Sequence, residues 1–283
     1  MKIGMFGLGI MGFPIATNLV QKCGCPVAAY DPAESSCVRF RKIGGATAAA
    51  PETIYQSCDV IFSCLPNNDL VRAHLESAVK LCRRGTVVVD LSSSLPSVIQ
   101  GCAKAADLAG VALVDCPVSG GHIGAVAGNL SAMCGGRAED IEKMLPLAKC
   151  FAAKVTHMGS LGCGYTAKLA NNMIIGSEIA VIAEAFSFAE KAGLDPRVLF
   201  EAIRSGGAAS AVLDMKVPKM LDGDYSVSSS LAVHLKDQHN ALLVAGEIKA
   251  QAPLCTLTTE LMDRMREKGR DKEDVAAVID LFR

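Results

Sequence analysis

In the first half of the chain, short unbroken apolar runs alternate with stretches in which apolar side chains return every three or four positions. KIGMFGL, PVAAYD, VIFSCL, TVVVDL and ALVDCPV are short, continuously apolar and bounded by turn-forming residues, which predicts buried strands. Between them, FPIATNLVQK, AESSCVRFRKI, DLVRAHLESAVKLC and LPSVIQGCAKAADLA each carry one apolar face at the helical period. Alternating strands and helices, with the strands apolar on both faces, predict an α/β Rossmann-type doubly wound parallel sheet.

The pattern changes near Gly162-Cys163-Gly164. From Tyr165 a helical period runs to Lys191, stops at Ala192-Gly193 and restarts after Asp195-Pro196. VLFEAIRS, SAVLDMKVPKML, SLAVHLKDQHNALLVAGEI, CTLTTELMDRMREK and KEDVAAVIDLF each bear an apolar stripe, and Asp271 is expected to cap the last. Two domains follow: residues 1–162, Rossmann-like, and residues 163–283, all-helical. The long helix joining them would span roughly 40 Å at about 1.5 Å per residue and form a wall of the cleft. No internal repeat, low-complexity tract or flexible linker interrupts the pattern.

Composition narrows the function classes. A net charge of -1 without a long Lys/Arg run gives nucleic acid or an anionic membrane little electrostatic purchase. No apolar run is read as reaching the roughly 18 residues of a membrane span, and the N-terminus enters the first strand without a basic leader, so a cytoplasmic location is expected. The cysteines (Cys23, Cys25, Cys37, Cys58, Cys64, Cys82, Cys102, Cys116, Cys134, Cys150, Cys163 and Cys255) are scattered, with no C-x-x-C and no histidine at zinc-ligand spacing. They read as small buried hydrophobes in a reducing compartment, and no metal is expected.

Three polar stretches carry the candidate chemistry. Gly7-Leu8-Gly9-Ile10-Met11-Gly12 sits after the first strand and opens the first helix, where a G-x-G-x-x-G turn brings backbone against a pyrophosphate. Asp31 ends the second strand at the spacing of a carboxylate that accepts ribose hydroxyls. It would repel a 2′-phosphate, and no Arg follows at once, although Arg39 and Arg41 lie on the next helix; NAD is therefore favoured, with NADP possible. The second stretch, Asp115 to Gly124, lies at a strand's carboxyl end, where Ser119 and the Gly120 and Gly121 amides can form a nest for a substrate carboxylate. In the third, Lys168 and Asn172 are one helical turn apart in an apolar segment. A lysine in a partly dry cleft has its charged form disfavoured, which suits proton transfer; a solvated lysine on a helix end is the other reading of the spacing.

Taken in order, these motifs resemble the β-hydroxyacid dehydrogenase family, which includes 3-hydroxyisobutyrate dehydrogenase and tartronate semialdehyde reductase. The signatures are GLGIMGFPIATNL, DCPVSGGHIGAVAGNLSAMCGG, GCGYTAKLANN and HLKDQHNAL, spread over essentially the whole chain. The resemblance implies reversible hydride transfer between a nicotinamide and a small 3-hydroxy acid, with Lys168 as general acid/base and Asn172 positioning substrate. It further implies that Ser119, Gly120 and Gly121 hold the carboxylate, that Lys236 closes over substrate or nicotinamide, that Leu65, Pro66 and Ser93 touch the cofactor, and that the protein is a homo-oligomer. His122 and Gln238 depart from the family pattern, which bears on substrate identity. VLDMKVPKMLDGDYS looks more like the tartronate semialdehyde reductases and related dehydrogenases, with 3-hydroxyisobutyrate or 2-(hydroxymethyl)glutarate as other substrates. A non-catalytic dinucleotide-binding relative would be expected to lose Lys168, and an imine-reducing relative usually replaces it.

Overall fold

The first apolar run forms β1 (Ile3–Phe6), buried along its whole length, and the glycine turn leads into α1 (Gly12–Lys22). The computed structural model describes every residue from Met1 to Arg283. The alternation continues through β2 (Val27–Tyr30), α2 (Glu34–Lys42), β3 (Ala46–Thr47), α3 (Pro51–Ser57), β4 (Val60–Ser63), α4 (Asn68–Leu81) and β5 (Val87–Asp90). It ends with α5 (Pro96–Gln100), α6 (Ala103–Ala109) and β6 (Ala112–Asp115). All pairings among these strands are parallel. Successive residues alternate between two cores: Met5, Phe62, Val89 and Val114 face one, and Phe6, Ile61, Val88 and Leu113 the other. That is why these strands read as unbroken apolar runs rather than as alternating ones.

The strand order β3-β2-β1-β4-β5-β6 changes direction at β1, so the connections after β1 and β4 diverge and leave a crevice at the strands' carboxyl ends. Beyond β6 the sheet stops being purely parallel. Pro117, which has no N–H to donate, separates β6 from β7 (Val118–Ser119), so ALVDCPV is not one strand. After α7 (Gly121–Ala127), β8 (Leu130–Gly135) runs antiparallel to both β6 and β7. α8 (Ala138–Ala148) leads to β9 (Ala152–Gly159), parallel to β8. LPSVIQGCAKAADLA likewise divides into α5 and α6 at Gly101-Cys102, glycine being a poor helix interior residue.

The remaining elements are helical: α9 (Cys163–Lys191), α10 (Pro196–Ile203), α11 (Ala211–Asp222), α12 (Leu231–Glu247) and α13 (Pro253–Glu267). The compact units divide at Lys168 and Leu169, inside α9, because its opening turn is tied to the sheet rather than to the later helices. Contrary to the reading of the apolar runs, α9 is long and apolar enough, by length and composition, to cross a membrane; half of that window is buried in the protein, as in a core helix. Asp195, Ser210 and Ser230 cap α10, α11 and α12 through their side chains. The second unit's core gathers Ile179, Phe186, Leu231, Met262 and Val275.

The last apolar segment is a 3-10 helix over Val275–Leu281, and its cap is Asp274 rather than Asp271. Asp274 is fully buried; it accepts Lys216 Nζ at 2.7 Å and the N–H groups of Ser228, Ser229 and Ala276. Burial alone would raise its carboxyl, but Lys216 and these amides hold it well below the usual aspartate range. The depressed value makes the contribution to stability complete above the unfolded aspartate value of about 4 and lost progressively as pH falls below it. Asp274→Asn, which strands the buried Lys216 ammonium, should lower unfolding stability by about 3 kcal/mol at pH 7. In urea denaturation the gap from wild type should narrow below about pH 4; a gap that stays constant into acid would contradict this assignment.

Candidate active site

The carboxyl ends of β1, β2, β4 and β5 carry the residues expected to meet a dinucleotide. A Cβ on Gly7, whose φ is +87°, would lie 2.3 Å from the Cys64 carbonyl oxygen, and one on Gly12 would lie 2.1 Å from that of Gly7. Those two glycines serve the chain's own packing. A Cβ on Gly9 would meet nothing within 4 Å, so the middle glycine keeps open a space that no protein atom fills. Met11, at the start of α1, gives no side-chain cap, and Ile10 is exposed; in the first turn the Phe13 N–H donates to the Gly9 carbonyl at 2.9 Å and Pro14 has no N–H, so the turn offers an anion the helix's positive end more than a row of amides. Leu8 is buried and fixes the loop, its N–H donating to Asp31 Oδ2 at 2.7 Å.

Asp31 follows β2, and its other oxygen accepts the Ala33 N–H at 2.8 Å. Each carboxylate oxygen thus has one backbone donor and retains capacity for a ribose hydroxyl. Leu65 follows β4, half-buried and donating its N–H to Ser92 Oγ at 2.8 Å; Pro66 beside it is exposed, and Ser93 is half-buried in the loop after β5. The bare Gly9, the uncapped α1 and the doubly anchored Asp31 together fit a dinucleotide.

At the end of β6, Asp115 is completely buried. Its Oδ1 accepts the Gly162 N–H at 2.7 Å and its Oδ2 the Tyr165 N–H at 2.8 Å, so one side chain caps the opening turn of α9. The buried Tyr165 donates its hydroxyl to Asp90 Oδ2 at 2.6 Å, and Asp90 also accepts the hydroxyls of Ser63 and Ser92. Burial pushes both carboxyls up, while these donors pull against the shift. Two glycines make the approach possible. A Cβ on Gly164 would lie 2.3 Å from the Met133 carbonyl oxygen and 2.7 Å from that of Asp115, and one on Gly135 would lie 2.5 Å from Asp115 Oδ1. Lys168, three residues beyond Tyr165 and itself buried, is therefore held in place from the sheet.

One turn further along α9, Asn172 is also buried. Its Nδ2 donates to Asp237 Oδ2 at 2.5 Å, its Oδ1 accepts from Asn171 at 2.9 Å, and its carbonyl accepts Gln238 Nε2 at 2.7 Å. Lys236 Nζ lies 3.3 Å from Asp237 Oδ1, forming an ion pair. Asp237 is not among the candidate residues, and Gln238 is named there only as a departure from the family pattern. The signal was present in the polar run Lys236 to Gln238 on an otherwise apolar helix. Gly176 admits Gln238, since a Cβ there would lie 2.2 Å from its Nε2.

Ser119 ends β7, and Gly120 and Gly121 take φ values of +127° and +61°, a backbone that favours glycine. The turn is linked to the dinucleotide loop, because His122 Nδ1 lies 3.0 Å from the Ile10 carbonyl oxygen.

The family profile for the NAD binding domain of 6-phosphogluconate dehydrogenase matches residues 2–159, and that for the NAD-binding of NADP-dependent 3-hydroxyisobutyrate dehydrogenase matches residues 162–282. The chain belongs to the β-hydroxyacid dehydrogenase family. Among its relatives, 2-(hydroxymethyl)glutarate dehydrogenase of Eubacterium barkeri is 33% identical over 99% of this chain and 94% of that protein. The 2-hydroxy-3-oxopropionate reductase of Escherichia coli is 31% identical over 99% and 96%. The structure of Mycobacterium tuberculosis 3-hydroxyisobutyrate dehydrogenase with L-serine superposes with a TM-score of 0.92 at 29% identity, covering 100% of this chain and 99% of that one. A Pseudomonas imine reductase, 17% identical with a TM-score of 0.66, shares the fold alone. This β-hydroxyacid dehydrogenase is thus an oxidoreductase acting on a hydroxyl-bearing carbon with NAD or NADP.

The different surroundings of the three glycines separate folding from cofactor binding. Gly9→Ala should leave the melting temperature unchanged but weaken NADH binding by about tenfold or more, a loss of about 1.4 kcal/mol. Gly12→Ala should lower stability itself, since its Cβ meets backbone. Thermal melts beside cofactor titrations check this, and undiminished NADH affinity in Gly9→Ala would contradict the cradle.

Proposed function

We propose that this enzyme interconverts a small 3-hydroxy acid and its semialdehyde or keto acid, of the tartronate semialdehyde, 3-hydroxyisobutyrate or 2-(hydroxymethyl)glutarate type, with NAD favoured over NADP. The observation that carries the reading is the buried Lys168 on a helix whose first turn is capped by Asp115. A nicotinamide, when bound, takes or supplies the hydride. The work of the chain's own residues is to hold the substrate and move the proton. In oxidation the neutral Lys168 amine takes the hydroxyl proton while the carbon–oxygen double bond forms; in reduction the ammonium returns it to the carbonyl oxygen. Asn172, its amide fixed by Asp237 and Asn171, orients the substrate from the next turn of the same helix.

The turn Ser119-Gly120-Gly121 takes the substrate carboxylate. This is supported by the positive φ of both glycines, which gives the turn a backbone suited to an anion, and by the place of Ser119 at the end of β7. NAD preference is supported by Asp31, which offers acceptors to a ribose diol and repulsion to a 2′-phosphate.

A panel of 3-hydroxy acids, each assayed beside its methyl ester with NAD and with NADP, tests the reading. Replacing the acid by its ester should cost about 30-fold in kcat/KM, or about 2 kcal/mol, the size of a charge-assisted hydrogen bond. Equal turnover of acid and ester would remove the carboxylate from the reading, and inactivity on every hydroxy acid would remove the reaction.

A further inference from the structure

Next to Asp31 lies a cavity of about 370 Å³, lined by Asp31, Glu34, Cys37, Arg41 and Thr47 among others. It lies beyond the carboxyl ends of β2 and β3, where Asp31 would meet the ribose. Glu34 and Arg41 stand two turns apart on the same face of α2. The guanidinium is held at both edges, one nitrogen on Glu34 Oε1 at 2.5 Å and another on Thr47 Oγ1 at 2.8 Å. The other arginine of α2, Arg39, is on a different face of the helix and lies over the ring of Phe13 at 4.2 Å.

We propose that Glu34 is a second determinant of cofactor choice, acting by holding the Arg41 guanidinium away from a 2′-phosphate. The inference rests on the reading of Asp31 as the ribose acceptor and deepens it. Two carboxylates and one guanidinium line the cavity, so its lining is negative while Glu34 is present and balanced once that charge is gone. A diol needs only the acceptors of Asp31. A 2′-phosphate needs a cation, and Arg41 is the one in the cavity lining; its planar fork suits phosphate oxygens as well as it suits Glu34. Glu34 and Arg41 are largely solvent-exposed, with side-chain accessibilities of 75% and 45%, so their pair adds little to folding and its removal tests recognition rather than stability.

Dissociation constants for NADH and NADPH, read from the fluorescence of the reduced nicotinamide in a chain without tryptophan, test the proposal in wild type, Glu34→Gln, Arg41→Ala and the double variant. Glu34→Gln should shift the ratio of affinities toward NADPH by about tenfold or more, with an unchanged melting temperature, and adding Arg41→Ala should abolish the shift. An unchanged ratio in Glu34→Gln, or a shift that persists in the double variant, would overturn it. The reading of Asp31 is judged separately, by the wild-type ratio. A wild type that prefers NADPH would refute that reading, while the comparison of Glu34→Gln with the double variant would still show whether Glu34 restrains Arg41.

Discussion

The arrangement depends on one buried carboxylate. Asp115 closes β6 and caps the opening turn of α9, placing a negative charge where the helix offers unsatisfied N–H groups and the positive end of its dipole. Burying an aspartate in a sheet is costly unless its oxygens are filled, and two main-chain donors fill these. The cap also fixes the azimuth of α9. With Gly162 and Tyr165 on one carboxylate and the Tyr165 hydroxyl on Asp90, the helix cannot rotate or slide without breaking bonds to two adjacent strands, β5 and β6. Lys168 inherits that rigidity because it lies on the next turn.

Glycine has three distinct uses in this chain. At Gly7 and Gly12 it allows close backbone contact, of Gly7 with Cys64 after β4 and of Gly12 with Gly7 itself; at Gly135 and Gly164 it lets α9 come down onto Asp115; at Gly9 it leaves room that no protein atom occupies. Only the last use leaves room for a ligand, and its place between β1 and α1 is what gives that room meaning. A G-x-G-x-x-G pattern and a G-x-G pattern look alike in a sequence, but here one makes a binding surface and the other a helix seat.

The first half was legible because its strands are buried on both faces and its helices amphipathic, so the two periods separate cleanly. β8, α8 and β9 were not foreseen. β8 alternates buried and half-buried residues over its first four positions, β9 has one buried residue, and neither forms the continuous apolar run that marked the parallel strands. The last helix was misjudged because Asp271 and Asp274 both look like caps, and the choice between them is made by Lys216, far away in sequence. At the site, Lys168 and Asn172 could be named from helical spacing. Asp115 could be quoted within a motif but not given its task, since its partners Gly162 and Tyr165 are brought to it only by the fold. Asp237 and Gln238 could likewise be quoted within a motif but not given their task, because their partner, Asn172, lies on another helix.

The central claim is that the seat on Asp115 holds Lys168 as the group that moves the proton. Single-turnover hydride transfer with Lys168→Ala, beside its NADH dissociation constant, tests this most directly. General acid/base catalysis is worth about 10²–10⁴-fold, so the rate should fall by that order while NADH affinity stays at the wild-type value, and Lys168→Arg should not restore it, because a guanidinium does not give up its proton. A variant that keeps more than about a tenth of the wild-type rate, with hydride transfer shown to be the step observed, would contradict the account.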